Sequence, residues 1–243
     1  MIDMDNFIDE AKRICRKYQI DLAIRLINDD NVKEKVMKQN NELIFNLSKI
    51  REVYGEDYFW YVLRDEMMPF LHFETERLII RRVQKQDIED LFAMVSYEPG
   101  CLDDGFEPFT KMDDAFDQYF EGLLNDKTRY VAELKISHQV IGIINMMKKN
   151  DRAIDYFEVG YAFNQHFWRQ GYGYEAVSEM LSRAFIDLHI PMVTAGVFEW
   201  NEKSQKMLDK LGFKKEGVLH KAVLHERYGP VNLISYVKDF SDQ

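Results

Sequence analysis

The stretch EVGYAFNQHFWRQGYGYEAVSEMLSRAF, residues 158–185, decides the reading of this chain. Its beginning belongs to the run AIDYFEVGYAF (153–163), which has the aromatic and β-branched content of a strand, with polar Asp155 and Glu158 set in it. Residues 174–188 place apolar side chains at the spacing of an amphipathic helix. Between them stand Arg169, Gln170, Gly171, Tyr172, Gly173 and Tyr174. In physical terms a loop opening a helix in this way is an anion site. The first helical turn has unpaired N–H groups and the positive end of the dipole. Glycines at 171 and 173 let backbone amides turn towards a ligand and approach it closely. A diphosphate fits such a nest, and Arg169 can fork onto its oxygens. On the two glycines alone, a tight strand–helix turn with Arg169 in solvent is the stronger reading. A dinucleotide fingerprint fails: G-x-G-x-x-G needs glycine at 176, where the chain has Ala176, and the downstream acid could only be Glu199, past the next strand.

Outward from this segment, LIIRRV (78–83) reads as a strand, followed by a helix capped by Asp87. Residues 98–117 hold turn residues, with mobile-looking pairs Pro99-Gly100 and Asp104-Gly105, and seven acids: Glu98, Asp103, Asp104, Glu107, Asp113, Asp114 and Asp117. Only Lys111 opposes them. A helix through Phe116, Tyr119, Phe120 and Leu123 comes next. RYVAELKI (129–136) and QVIGIINMM (139–147) read as a hairpin joined at Ser137-His138. PMVTAGVF (191–198) is a strand, Glu202 to Lys210 a short helix ended by Gly212, and strands near 217–226 and 231–238 flank Tyr228-Gly229-Pro230. Residues 1–70 differ. Apart from Pro69 and Gly55 they lack the two residues that punctuate the rest, and apolar residues recur at helical spacings, so they read as a helical domain or appendage.

Composition narrows the function classes. The 243 residues are 46% hydrophobic and 30% charged, enough to build a core. Net charge is −10 at pH 7, which argues against a general nucleic-acid binder, whose affinity rests on neutralising phosphates. Cys15 and Cys101 are too few for a disulfide scaffold and lack metal spacing; two reduced thiols in a cytoplasmic protein is the expectation. The acidic start MIDMDNFIDEAKR has no apolar signal region, and no apolar run reaches the length of a membrane span. The six histidines are scattered, so no metal is expected.

The loop W-R-Q-G-Y-G-Y-E-A (168–176) resembles the Q/R-x-x-G-x-G/A motif of the GCN5-related N-acetyltransferases (GNAT). N-E-K-S (201–204), K-L-G-F-K-K-E-G (210–217) and the opening F-E-T-E-R-L-I-I-R (73–81) strengthen the likeness. Together they resemble the ribosomal-protein N-acetyltransferase-like (RimJ/RimL-type) subgroup, over roughly 73–240. The resemblance implies an α/β (α+β) fold: a mixed, mainly antiparallel sheet with flanking helices, whose central strands 153–163 and 191–198 splay apart. The pantetheine arm of acetyl-CoA would fill that gap like an added strand, against backbone near Tyr161, Ala162 and Phe163. Its diphosphate would sit on residues 169–174, and its thioester carbonyl near a backbone N–H able to steady developing negative charge. The implied partner is an amine acceptor, a cationic small molecule or a basic protein terminus. Neither nucleic acid nor membrane is expected. The oligomeric state is left open, homodimer included.

Within that frame Glu158 is the candidate base, acting through water, because an amine must lose a proton before it attacks. The alternative is that Glu158 pairs with an arginine, or faces solvent on a half-exposed strand. Many family members carry a tyrosine seven residues after the Asn201 position; here it is Leu208. Ser204 can instead donate a hydrogen bond to the CoA sulfur, or it simply belongs to the cap that Asn201 makes, Asn201 also being placed to hold a pantetheine amide. Asp103, Asp104 and Phe106 are the candidate acceptor contacts. The acids there would attract a cation, or they form a solvated loop. The rival of another class is a non-catalytic acyl-CoA-binding or protein-interaction module.

Overall fold

The computed structural model describes residues 72–154, 156–187 and 190–239. The expected helices of residues 1–70, and Asp155, lie outside the described residues. Eight strands form one sheet in the order β1-β2-β3-β4-β5-β6-β8-β7: β1 Phe73–Glu74, β2 Leu78–Arg82, β3 Arg129–Leu134, β4 Val140–Lys149, β5 Tyr156–Phe163, β6 Met192–Phe198, β7 Lys214–His225 and β8 Gly229–Asp239. The paired strands described in register are antiparallel, except β5 with β6. The helices are α1 Ile88–Val95, α2 Glu98–Asp104, α3 Asp114–Asn125, α4 Tyr172–Ser182 and α5 Glu202–Lys210.

The sheet alternates side chains between two covered faces, as pleating requires. On one face α1, α2 and α3 bury Leu91, Met94, Val95, Cys101, Phe116, Phe120 and Leu123 with Val131 and Val140 of the sheet; Ile143 and Ala162 pack against them. On the other lies Phe163, whose ring approaches Gly173 of α4 and Met207 of α5 lies beside it. The apolar face of α4 (Ala176, Val177, Met180 and Leu181) is buried.

Two local expectations are corrected. Asp87 does not cap α1 with its side chain: it has helical φ and ψ and no side-chain cap bond. Its carboxylate accepts both Nη groups of Arg81 at 2.8 Å and the Gln84 amide at 2.8 Å. Arg81 also donates Nε to Glu133 at 2.6 Å, and all three side chains are buried. A guanidinium from β2 outcompetes the helix for the carboxylate because charge-assisted bidentate bonds are stronger than a cap. Secondly, Pro99-Gly100, read as a mobile turn pair, lies inside a helix over residues 98–104. Pro99 sits in the first turn, where its missing N–H costs nothing, and the helix stops at Gly105 with φ 96°.

Candidate functional site

The parallel neighbours β5 and β6 are in register only at Phe157–Val193 and Glu158–Thr194. Beyond those pairs β5 follows β4 as far as Phe163 opposite Gly142, and β6 follows β8 as far as Phe198 opposite Leu233. The two strands thus part at Glu158 and Thr194, and the β6-facing side of residues 159–163 has no strand in register with it. Such a gap accepts an extended chain carrying amides.

At the end of β5 the backbone turns through two left-handed residues, Arg169 (φ 61°) and Gly171 (φ 85°). Arg169 is not glycine, and a non-glycine residue held in that region marks a constrained site. Gly171 is the N-cap of α4 and supplies no side-chain cap, so the amides that open the helix are not capped from within. The side chains of Gln170, Tyr172 and Tyr174 turn back onto the protein. Gln170 Nε2 donates to the His166 carbonyl at 3.0 Å, Tyr172 lies edge-on to Phe167, and Lys210 Nζ stands 4.2 Å from the centre of the Tyr174 ring. What these residues leave for a ligand is backbone, with Arg169 exposed beside it. A side chain at Gly173 would begin 3.3 Å from the Phe163 ring and 3.4 Å from Met207 Sδ. Uncapped amides, left-handed backbone at Arg169 and Gly171 and a cationic neighbour fit a diphosphate.

One expected contact is already taken. The Trp168 indole N–H donates to the Phe163 carbonyl at 2.6 Å, so of the backbone groups at Tyr161, Ala162 and Phe163 this acceptor is occupied. The Trp168 ring carries Lys203 Nζ 4.1 Å above it and Tyr97 edge-on at 5.8 Å. Trp168 stood in the quoted motif, but nothing local in the sequence assigned it this bond.

Beside the gap, Tyr161 Oη and Ser204 Oγ lie 2.9 Å apart. Burial pushes the Tyr161 hydroxyl up to about 12, with Ser204 acting against the shift, so it is neutral near pH 7. Asn201 Oδ1 accepts the Ser204 amide at 3.1 Å, making the cap of α5. Leu208, seven residues after Asn201, is 1% exposed and belongs to the core. Glu158 is half-buried at the apex of the gap, with Lys149 Nζ 3.6 Å from its carboxylate. The sequence reading missed Asn145, which is buried opposite Gly160 and whose Oδ1 would lie 2.3 Å from any Cβ there.

On the helical face, Asp103 and Asp104 close α2. Burial raises Asp103, while Lys203 and a hydrogen bond from Trp200 oppose the shift. Asp104 is exposed, yet the protein around its carboxyl displaces enough solvent to push it up to about 7; the Asp103 charge adds to this and Arg129 opposes it. Phe106 packs on the α1–α3 core, its ring 6.2 Å from Tyr119, as an anchor of the loop. Cys101 is buried, donates to the Val95 carbonyl at 3.1 Å and is pushed up to about 12 by burial.

Among the described residues there is no group of three or more His, Cys, Asp or Glu side chains placed to hold a metal, and no helix long and apolar enough to cross a membrane. A family model of the acetyltransferase (GNAT) domain matches residues 77–214. An uncharacterized N-acetyltransferase of Bacillus subtilis, YoaA, is 35% identical over 160 residues, covering 63% of this chain and 87% of that protein. Among solved structures, ribosomal-protein-S5-alanine acetyltransferase from Vibrio fischeri aligns with a TM-score of 0.58 at 23% identity, over 71% of this chain and 98% of the other. Spermidine N-acetyltransferase from Vibrio cholerae, in complex with CoA and spermine, aligns with a TM-score of 0.58 at 16% identity, over 69% of this chain and 98% of the other.

Proposed function

This chain belongs to the GNAT acetyltransferase family and is an acetyl-CoA-dependent acetyltransferase, and from that premise we propose that it moves the acetyl group directly onto a cationic primary amine with Glu158 as base. The acceptor class is a basic protein N-terminus, a polyamine or an aminoglycoside-like amine. The observation that carries the reading is the end of β5–β6 pairing at Glu158, on the same strand that leads into the uncapped amides of α4. It sets a carboxylate at the apex of the opening in which the thioester would lie.

An alkyl ammonium has a pKa of roughly 10, and a protein amino terminus about 8, so the acceptor arrives protonated. Glu158 takes that proton through a water, the nitrogen bonds to the acetyl carbon, and the carbon–sulfur bond breaks. The attacking nitrogen sheds its second proton to water, while the sulfur leaves with the electron pair, steadied by the Ser204 hydroxyl, and takes a proton from water. Tyr161, neutral near pH 7, holds Ser204 by the 2.9 Å contact. A covalent acetyl-enzyme through Cys101 is disfavoured: its thiol is buried and far from ionised at neutral pH. Asp103 and Asp104 supply attraction for a positive acceptor. Backbone contacts at Tyr161 and Ala162, residues 169–174 and Asn201 hold the cosubstrate, and much of the rate comes from ordering the two reactants in one groove.

The test is release of free CoA from acetyl-CoA across basic N-terminal peptides, polyamines and aminoglycosides. Saturable release with at least one of these amines is the expected result. Binding of CoA without turnover across all three classes would instead favour a non-catalytic acyl-CoA-binding or interaction module.

A further inference from the structure

Residues 75–77, in the turn between β1 and β2, reach across to the start of α4. Arg77 donates Nε to Glu175 Oε2 at 2.7 Å and its own amide to Glu175 Oε1 at 2.8 Å, and the Thr75 hydroxyl donates to the same Oε1 at 2.5 Å. Arg77 Nη1 donates to the Gln170 carbonyl at 3.1 Å. The guanidinium carbon stands 4.1 Å above the Tyr172 ring, and Nη2 would lie 3.3 Å from a Cβ at Gly171. One side chain therefore grips the loop at residues 170, 172 and 175 and backs onto 171. We propose that Arg77 is a positioning residue for the diphosphate loop, a role that rests on reading residues 169–174 as the cofactor cradle.

Two physical effects carry this. The peptide between Gln170 and Gly171 is trans, as no cis bond occurs among the described residues, so its carbonyl and N–H point in opposite directions. Tying the Gln170 carbonyl to Arg77 fixes the Gly171 N–H on the side away from Arg77. The second effect is charge. Glu175 sits in the first turn of α4, where a carboxylate suits the helix dipole but stands beside the amides that would receive an anion. Burial works against its ionisation, yet hydrogen bonds from Thr75 and Arg77 hold it below the usual carboxylate range, so it is charged near pH 7. Arg77 offsets that charge at its source, and the incoming diphosphate meets a neutral ion pair instead of a bare carboxylate. Lysine cannot copy the arrangement, because the planar fork makes the Nε and Nη1 bonds at once.

The experiment uses the full chain and the variant Arg77→Met, with CoA as the probe in titration calorimetry and amide hydrogen exchange read on peptides covering 165–182 and 129–149. The wild type serves as the control for the cradle itself: failure of the wild type to bind CoA overturns the reading of residues 169–174, whatever the variant does. With the wild type binding, R77M is expected to raise the Kd at least tenfold and to quicken exchange in 165–182 alone. A Kd within twofold of wild type, or exchange raised equally in both peptides, overturns the positioning role. Should R77M not fold, Arg77→Lys carries the same readout. A Kd at least threefold above wild type with faster exchange confined to 165–182 supports the role, and anything less overturns it.

Discussion

Replacing Gly173 with glutamate tests the cofactor cradle most directly. Gly173 lies in the first turn of α4 with ordinary negative φ, so a side chain meets crowding and no backbone strain. A Cβ there would lie 3.3 Å from the Phe163 ring and 3.4 Å from Met207 Sδ, contacts that must give by a few tenths of an ångström. Alanine gains roughly 1 kcal/mol of helix preference over glycine, which offsets that crowding, so Gly173→Ala is expected to keep stability within about 1 kcal/mol. Gly173→Glu adds a full negative charge. At about 6 Å and an effective dielectric of about 20, it opposes each phosphate charge by about 3 kcal/mol. Even one such interaction, uncorrected for the lost close approach, is more than a hundredfold in Kd. The assay is titration calorimetry with CoA, run beside circular dichroism on both variants. G173E should be folded and bind CoA at least a hundredfold more weakly, with G173A between it and wild type. A folded G173E with wild-type affinity would refute the placement of the diphosphate on this loop.

Glu158→Gln should lower kcat by roughly a hundredfold or more while leaving the acetyl-CoA Kd within twofold; full turnover near neutral pH would remove Glu158 as base. Since Asp104 is raised to about 7, its charge appears as pH rises through neutrality, so KM for a cationic acceptor should fall between pH 6 and 8 and the slope should flatten in Asp104→Asn. The same raised value means that the folded state holds the proton more tightly than the unfolded chain, so Asp104 costs stability progressively as pH rises from about 4 to about 7 and by a constant amount above that; D104N should raise Tm at pH 8 and not at pH 4, and the reverse ordering would count against the crowding at this carboxyl. Arg81→Met leaves Asp87 and Glu133 buried without their cation and should cost about 3–5 kcal/mol by urea unfolding; a loss under about 1 kcal/mol would show that the buried triad contributes little.

The parts of the fold that local pattern controls were legible in the residues. The apolar runs in 139–147 and 191–198 give β4 and β6, glycine at 171 gives the left-handed cap of α4, and Asn201 caps α5 as its residue type suggests. The parting of β5 and β6 is not a local pattern; it is what the family resemblance implies, and the register agrees with it. What escaped depends on partners distant in the chain. Asp87 looked like a helix cap because nothing near it announces Arg81 as a competitor already committed to Glu133 of another strand. Pro99-Gly100 looked like a turn, although proline is welcome in a first helical turn and the buried Cys101 pays that helix with core contact. The Trp168 bond to Phe163 and the Arg77 grip on residues 170–175 join elements whose proximity is set by the whole sheet.

The two rungs between β5 and β6 have a mechanical meaning. In backbone terms the sheet is two leaves, β1–β5 and β6–β8, stitched at one end of a shared seam. A seam stitched at one end leaves its other end compliant. In the proposed function, an extended arm bearing two amides, laid along residues 159–163, would add the missing stitches and stiffen the pair of leaves. On that reading, departure of the spent cofactor would return the seam to its compliant state and reopen it to the next thioester.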